Sequence, residues 1–512
     1  MTRLGVQVLG SPEEPGVQGW CELLIREGLS HAVSPSVTGE YPVTVTVGGV
    51  PASPPGPGEF QIIDGERDGA GPAVTVQRML ASGAPVRVHG TVRMPVPPWS
   101  PDPDAPVLMP FAEEGPRAPG HRIASRYLWG RRALLPMPLG AQLSWAGSTF
   151  CAYEHAVFLA ASSAGEHAAE YEDERVELPL ATIDRNGVCR LMASTLRLAF
   201  ARCGLPYVRV WYYPSAHRSV LLARFDVDVL DEAGLAEVSR RTRARGRRAA
   251  FFVNLSGEEE TEDAAAAEPG TIRHAPGTAP VTERPVKQPH ALRALEAAGH
   301  ELASHGYRHT VFPTAARCRA DIAHSLALLR QSGADVHGYG APGGIWLPCL
   351  QDALDSLGLA YSSELSCGFD GFPFWPGAGG PGGTLQVPVS PFLQCQLVRR
   401  GSAHELAMAW GAYCDDCLRR AEPASFILHT QDFAQLPVDT YDALLDHANR
   451  CGLLDLTFTE FARWWLRRAQ LRMTALWDGS EVEVTLNEPA PIDINGRIQV
   501  LDSQGTPQQV PA

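Results

Sequence analysis

The chain has 512 residues, 45% hydrophobic and 20% charged, a composition that excludes a disordered chain and predicts two or three domains. Its net charge of −14 argues against a nucleic-acid partner, which would want a basic face.

Residues 1–205 read as an N-terminal α/β domain of unknown role. Strands are expected at Leu4–Leu9, Tyr41–Val47, Glu59–Asp64 and Val86–His89, and helices at Trp20–Glu27 and Val74–Ser82. Residues 91–120 are Pro-rich and read as an extended loop. A helix over Gly187–Cys203 stops at Gly204, a good residue just past a helix end. No residue cluster in this part announces chemistry.

From 206 to 470 apolar strands alternate with helices. Strands are expected at Val220–Phe225, Ala249–Val253, Glu301–Ser304, Val336–Tyr339, Ala360–Ser363, Ser425–His429 and Leu454–Phe458. The helices between them fall at Asp231–Arg245, Pro289–Ala298, Ala315–Ser332, Leu347–Leu357, Thr440–Cys451 and Thr459–Arg468. Such repetition points to a parallel, barrel-like α/β domain with its functional groups at the C-terminal tips of the strands. Gly257–Pro285 is acidic, poor in apolar residues and expected to be mobile. Pro376–Gly383 is rich in Gly and Pro and reads as a surface loop. Residues 471–512 alternate polar and apolar side chains and read as a short β-rich appendage.

Eleven scattered cysteines cannot all pair internally, and a cytoplasmic location is expected. Cys414 and Cys417 have Cys-x-x-Cys spacing but no second such pair, and read as two helix cysteines. No apolar run is long enough for a membrane span, and Met1–Val8 has no signal-peptide pattern. Arg240–Arg248 is basic and reads as a solvated helix face balancing the acidic insertion, while His217 and His300 read as structural.

The most informative residues are Asp226 and Asp228, at the end of the apolar run Leu221–Asp228, with His305 and His309 at one-turn spacing. A carboxylate oxygen and two imidazoles suit a divalent metal such as zinc and leave positions open for water and substrate. The other carboxylate is then free to act as a base, and His429, at another strand tip, suits an acid.

In order, Arg224–Asp228, Gly299–His309, Gly340–Gly344 and Ile427–Thr430 resemble successive motifs of the polysaccharide deacetylase family. The Asp-x-Asp form and Tyr361–Glu364 are most similar to a branch containing the bacterial deformylase of lipid-linked aminoarabinose. The resemblance spans residues 218–466 and implies an irregular (β/α)7-type barrel. It implies that Asp228, His305 and His309 bind the metal, with zinc the first choice. Asp226 would be the general base and His429 the general acid, and the Gly343 N–H would help to stabilise the oxyanion. Many members open the third motif with an Arg that orients the base, and here that place is Gly340. Arg224, two residues before Asp226 and on the same strand face, is the candidate to substitute. The Asp that tunes the acid His is matched by Glu364, with Asp370 as the alternative.

The implied reaction is metal-dependent removal of an N-acetyl or N-formyl group from an amino sugar in a glycan or glycan precursor. The alternatives are a non-catalytic glycan-binding or scaffold protein on a degenerate deacetylase fold, and an amidase acting on a non-sugar substrate.

Overall fold

The computed structural model describes residues 1–48, 55–65, 73–81, 84–95, 127–135, 139–143, 150–153, 178–181, 185–255, 272–273, 289–344, 346–364, 371–376, 382–389, 403–430 and 440–508. The expected Pro-rich loop beyond residue 95, Asp370 and most of the acidic 257–285 segment lie outside these residues.

The fold is mixed α/β, organised on a curled parallel sheet. Its strands are β1 (Val220–Val227), β2 (Ala250–Val253), β3 (Glu301–Ser304), β4 (Gly338–Tyr339), β5 (Tyr361–Ser362), β6 (Leu385–Gln386), β7 (Ala424–His429) and β8 (Leu454–Asp455). They lie in the order β6-β5-β4-β3-β2-β1-β7, with β8 paired to the start of β1 and every pairing parallel. Between them run helices α1 (Glu232–Ala244), α2 (Pro289–Ala297), α3 (Ala315–Gln331), α4 (Pro348–Leu357), α5 (Ala403–Arg420) and α6 (Thr440–Arg450), and α7 (Phe458–Gln470) follows β8.

Strand β1 shows why this sequence makes a central strand. All eight of its residues are buried, as a strand covered on both faces requires. Its period of two divides them between two cores. Leu221, Ala223, Phe225 and Val227 pack with the α1–α6 helices, while Val220 and Leu222 point to the inner core. Arg224 and Asp226 continue that inner face, so alternation alone carries both towards the concave side.

The inner core is continuous beyond the sheet. It joins Phe252, Phe461 and Trp465 to Val6 and Trp20 of the N-terminal region and to Ala475 and Ile492 near the C-terminus. The N-terminal sheet has the order His31–Ser34, Val6–Leu9, Val43–Val47, Phe60–Asp64, Arg132–Leu135, Tyr127–Trp129, with only the last pairing antiparallel. The C-terminal strands form two hairpins. Met473–Trp477 also pairs with Thr2–Arg3, and Ala490–Ile494 with Val208–Val210. The second hairpin turns at Asn495-Gly496, both at positive φ (51° and 89°), the pairing that a tight hairpin turn selects.

Two local expectations need correction. Val74–Ser82 is not helical: Ala73–Ala81 is a strand paired antiparallel with Ala84–Pro95. Its Val-Thr-Val run is β-branched, which favours a strand over a helix. His305–His309 form a bend after β3, not a helical turn.

The basic segment is tied by ion pairs to α6, β8 and α7. Arg245 meets Asp442 at 2.9 Å, and Arg248 meets Asp455 and Glu460, each at 2.8 Å. Cys414 and Cys417 lie buried and unbridged in α5. Among the described residues no helix is long and apolar enough to cross a membrane.

Candidate metal and catalytic site

The C-terminal edge of the sheet gathers the residues singled out above. Asp226 sits near the end of β1 and is in register with His429, the last residue of β7. His305 follows β3, Gly340 follows β4 and Glu364 follows β5. Asp228, two residues beyond Asp226, is the centre of the cluster. Its Oδ1 lies 3.1 Å from His309 Nε2 and 3.5 Å from His305 Nε2, and its Oδ2 lies 3.6 Å from His429 Nε2. Asp226 Oδ2 is 3.7 Å from His305 Nε2.

The Asp228, His305 and His309 donors fit a divalent cation. Zinc bonds of about 2.0–2.2 Å to nitrogen and oxygen at tetrahedral angles place neighbouring ligand atoms ~3.4 Å apart. The two Asp228–His separations bracket that value. His305 is also oriented for ligation. Its Nδ1–H donates to Gly340 O at 2.7 Å, which leaves the Nε2 lone pair facing the carboxylates. This bond also ties the third motif to the second.

Asp226 is buried and held in a fork. Arg224 Nε donates to Oδ1 at 2.6 Å and Nη2 to Oδ2 at 2.9 Å, a bidentate pair on one strand face. Arg224 Nη1 donates to the Ser363 carbonyl, and the guanidinium stacks 4.2 Å from the centre of the Phe252 ring. Burial alone would raise the Asp226 carboxyl, but Arg224 and then His305 outweigh it and hold the group below the usual carboxylate range. Burial raises the Asp228 carboxyl, but the imidazoles of His305, His309 and His429 around it outweigh that and drive it well down.

Gly340 makes the Arg224 placement possible. An ideal Cβ there would come within 2.7 Å of both Arg224 Nη2 and Phe252 Cδ1. Gly343, in the 3₁₀ turn Pro342–Gly344, has φ 64° and ψ 11°, left-handed backbone that favours glycine.

Glu364 is placed with Arg224 and the third-motif loop. Four strands separate the one it follows from the one that ends in His429. Its carboxylate accepts from Ala341 N–H at 3.2 Å and from Ser362 Oγ at 2.7 Å, and burial raises its pKa.

Three contributors escape sequence reading: Phe252, Ser363 and Asp321. Asp321, on the buried face of α3, accepts from Tyr307 N–H at 2.9 Å and from Arg308 N–H at 3.0 Å, shaping the bend between the two histidines. Its one sequence signal is an acid amid the apolar positions Cys318, Ile322, Leu326 and Leu329.

No family model matches the chain and no curated protein matches it. Among solved structures it is similar to a candidate polysaccharide deacetylase from Mycobacterium smegmatis, at 17% identity and a TM-score of 0.39, covering 51% of this chain and 94% of that one. It is also similar to a family 4 carbohydrate esterase from Streptomyces lividans solved with acetate, at 15% identity and a TM-score of 0.30, covering 47% and 93%. A family 4 pseudoenzyme from Bacillus anthracis matches at 10% identity and a TM-score of 0.31, covering 49% and 66%. At these identities and scores the likeness assigns neither a family nor an activity.

Proposed function

We propose that the chain is a metal-dependent hydrolase that removes an N-acyl group, acetyl or formyl, from an amino sugar in a glycan or glycan precursor. The observation that carries this reading is the arrangement around Asp228. Two imidazole nitrogens face one of its oxygens and a third faces the other, beside a second carboxylate clamped by its own arginine. The motif resemblance supplies the substrate class.

Asp228, His305 and His309 hold the cation. A divalent ion there supplies Lewis acidity and lowers the pKa of water towards about 7. Asp226, kept ionised by Arg224, takes the proton from the attacking water. His429 approaches Asp228 from the neighbouring strand β7 and protonates the leaving amine. The Gly343 N–H is assigned to the developing oxyanion. Glu364 acts through the Ala341 N–H and positions the loop that carries Gly343. The deformylase-type substrate remains one arm of the test.

The experiment is a panel of N-acetyl and N-formyl amino sugars and their oligomers, incubated with zinc-loaded full-length protein and assayed for released acetate and formate. Release from at least one member is expected. Asp226→Asn should lower turnover by about 10²-fold or more with the metal retained, and Asp228→Ala should lose the metal at this site. If no panel member is cleaved by protein with this site metal-loaded, the proposal is wrong.

A further inference from the structure

A second group of metal-ligating side chains lies between α5 and α6. His447 and Cys451 stand four residues apart at the end of α6. The Cys451 N–H still donates to His447 O at 2.9 Å, so the helical ladder continues and the two side chains share one face. Asp415 reaches them from α5. Its Oδ1 lies 3.4 Å from His447 Nε2 and 3.4 Å from Cys451 Sγ. All three potential ligand atoms lie within 4.8 Å of one another.

Three observations separate this cluster from an ordinary surface carboxylate. First, the two separations from Asp415 Oδ1 match those around a shared ion. Bonds of about 2.1 Å to oxygen and nitrogen and about 2.3 Å to sulfur at tetrahedral angles put O···N ~3.4 Å and O···S ~3.6 Å apart. Second, His447 Nε2 is buried without a hydrogen bond, although buried polar atoms are normally paired. Third, the frame is fixed. Trp410 Nε1 donates to Leu444 O at 3.0 Å and locks α5 to α6. Gly411, one turn before Asp415, leaves room for the imidazole, since a Cβ there would come within 3.1 Å of His447 Cε1.

We propose that Asp415, His447 and Cys451 form a second cation site, for a borderline-soft divalent ion such as zinc. Thiolate and imidazole together select zinc-like ions over magnesium or calcium. The fourth position is open to solvent, because the Asp415 side chain is 59% exposed. Ligation through Nε2 leaves the proton on His447 Nδ1 and displaces the exposed Arg450, which meets that atom at 3.4 Å. Helix α5 precedes β7 and α6 follows it, so the ion clips together the two helices that flank the strand ending in His429.

The test uses full-length protein stripped by a chelator and titrated with Co²⁺. Only a cysteine ligand gives thiolate-to-cobalt charge-transfer absorption, and the Asp228 site contains no sulfur. The expected result is a thiolate band that is complete by two equivalents in the unaltered protein, saturates at one equivalent in Asp228→Ala and disappears in Cys451→Ser. In unaltered protein, Zn²⁺ should protect Cys451 from alkylation, mapped by mass spectrometry, so that a folding defect in the variant cannot decide the outcome. Absence of the band at saturating Co²⁺, a band that survives Cys451→Ser, or unchanged alkylation with Zn²⁺ overturns the proposal. None of these readouts depends on hydrolytic activity.

Discussion

The guanidinium of Arg224 fills the space that a side chain at Gly340 would need: an ideal Cβ at Gly340 lies 3.0 Å from Arg224 Cζ. The arginine that clamps Asp226 therefore rises from its own strand, and the third-motif position is emptied to receive it. Arg224→Met should cost about 3–5 kcal/mol, because it leaves a buried carboxylate without its partner. Burial then acts on Asp226 with less opposition, so the acid limb of the pH–rate profile should move to higher pH. Adding Gly340→Arg to Arg224→Met returns a cation from the other side. Activity and stability should recover in part, with a coupling of about 1–3 kcal/mol between the two positions. A strictly additive double-mutant cycle would count against the exchange.

Asp321 touches neither histidine ring, yet it holds the backbone between them. Asp321→Ala removes the acceptor of the Tyr307 and Arg308 N–H groups and loosens the bend. Affinity for zinc at the Asp228 site should fall about 10–100-fold, the usual effect of removing a group that orients metal ligands. Competition against a chromophoric chelator measures it, and Asp321→Asn, which keeps one acceptor, should lose less.

What could be read from the sequence follows how local each interaction is. The strand tips are legible because a strand buried on both faces is written mostly in apolar residues, and in β1 only Arg224 and Asp226 interrupt them. Arg224 and Asp226 could be placed on one face because side chains alternate with a period of two. His305 and His309 could be paired from their spacing, but not their bend, since that depends on Asp321 from a later helix. Ser363, just past β5, and Phe252, in β2, reach Arg224 through contacts that exist only once the strands are ordered. Val74–Ser82 fits a helix in sequence although Ala73–Ala81 is a strand, because short apolar runs fit both periods. Glu364 is matched by motif position, and its bond from the Ala341 N–H exists only once β4 and β5 are paired.

If His429 protonates the leaving amine, its loss should matter in proportion to how poor the leaving group is. His429→Ala should lower turnover of an N-acyl amino sugar by about 10²–10⁴-fold. An aryl acetate, whose leaving group departs without a proton, should lose far less. Equal losses on both substrates would instead assign His429 to binding or to the metal.

His300 lies away from the proposed chemistry and gives a pH dependence of stability. Its Nδ1 accepts from Ala249 N–H at 3.1 Å, and its Nε2–H donates to Ser239 Oγ at 2.9 Å, so the folded ring is neutral. Burial first, and then the Arg243 and Arg248 cations, lower its pKa from 6.5 to about 4. Between those values the unfolded chain binds a proton that the folded chain refuses. The contribution is therefore fully present above pH ~6.5 and is lost as pH falls towards ~4, by up to about 3 kcal/mol. His300→Asn keeps an acceptor for Ala249 but cannot titrate. Denaturant unfolding at several pH values across this window should give a steeper loss for the unaltered protein than for the variant. Parallel curves would mean that His300 titrates normally in the fold.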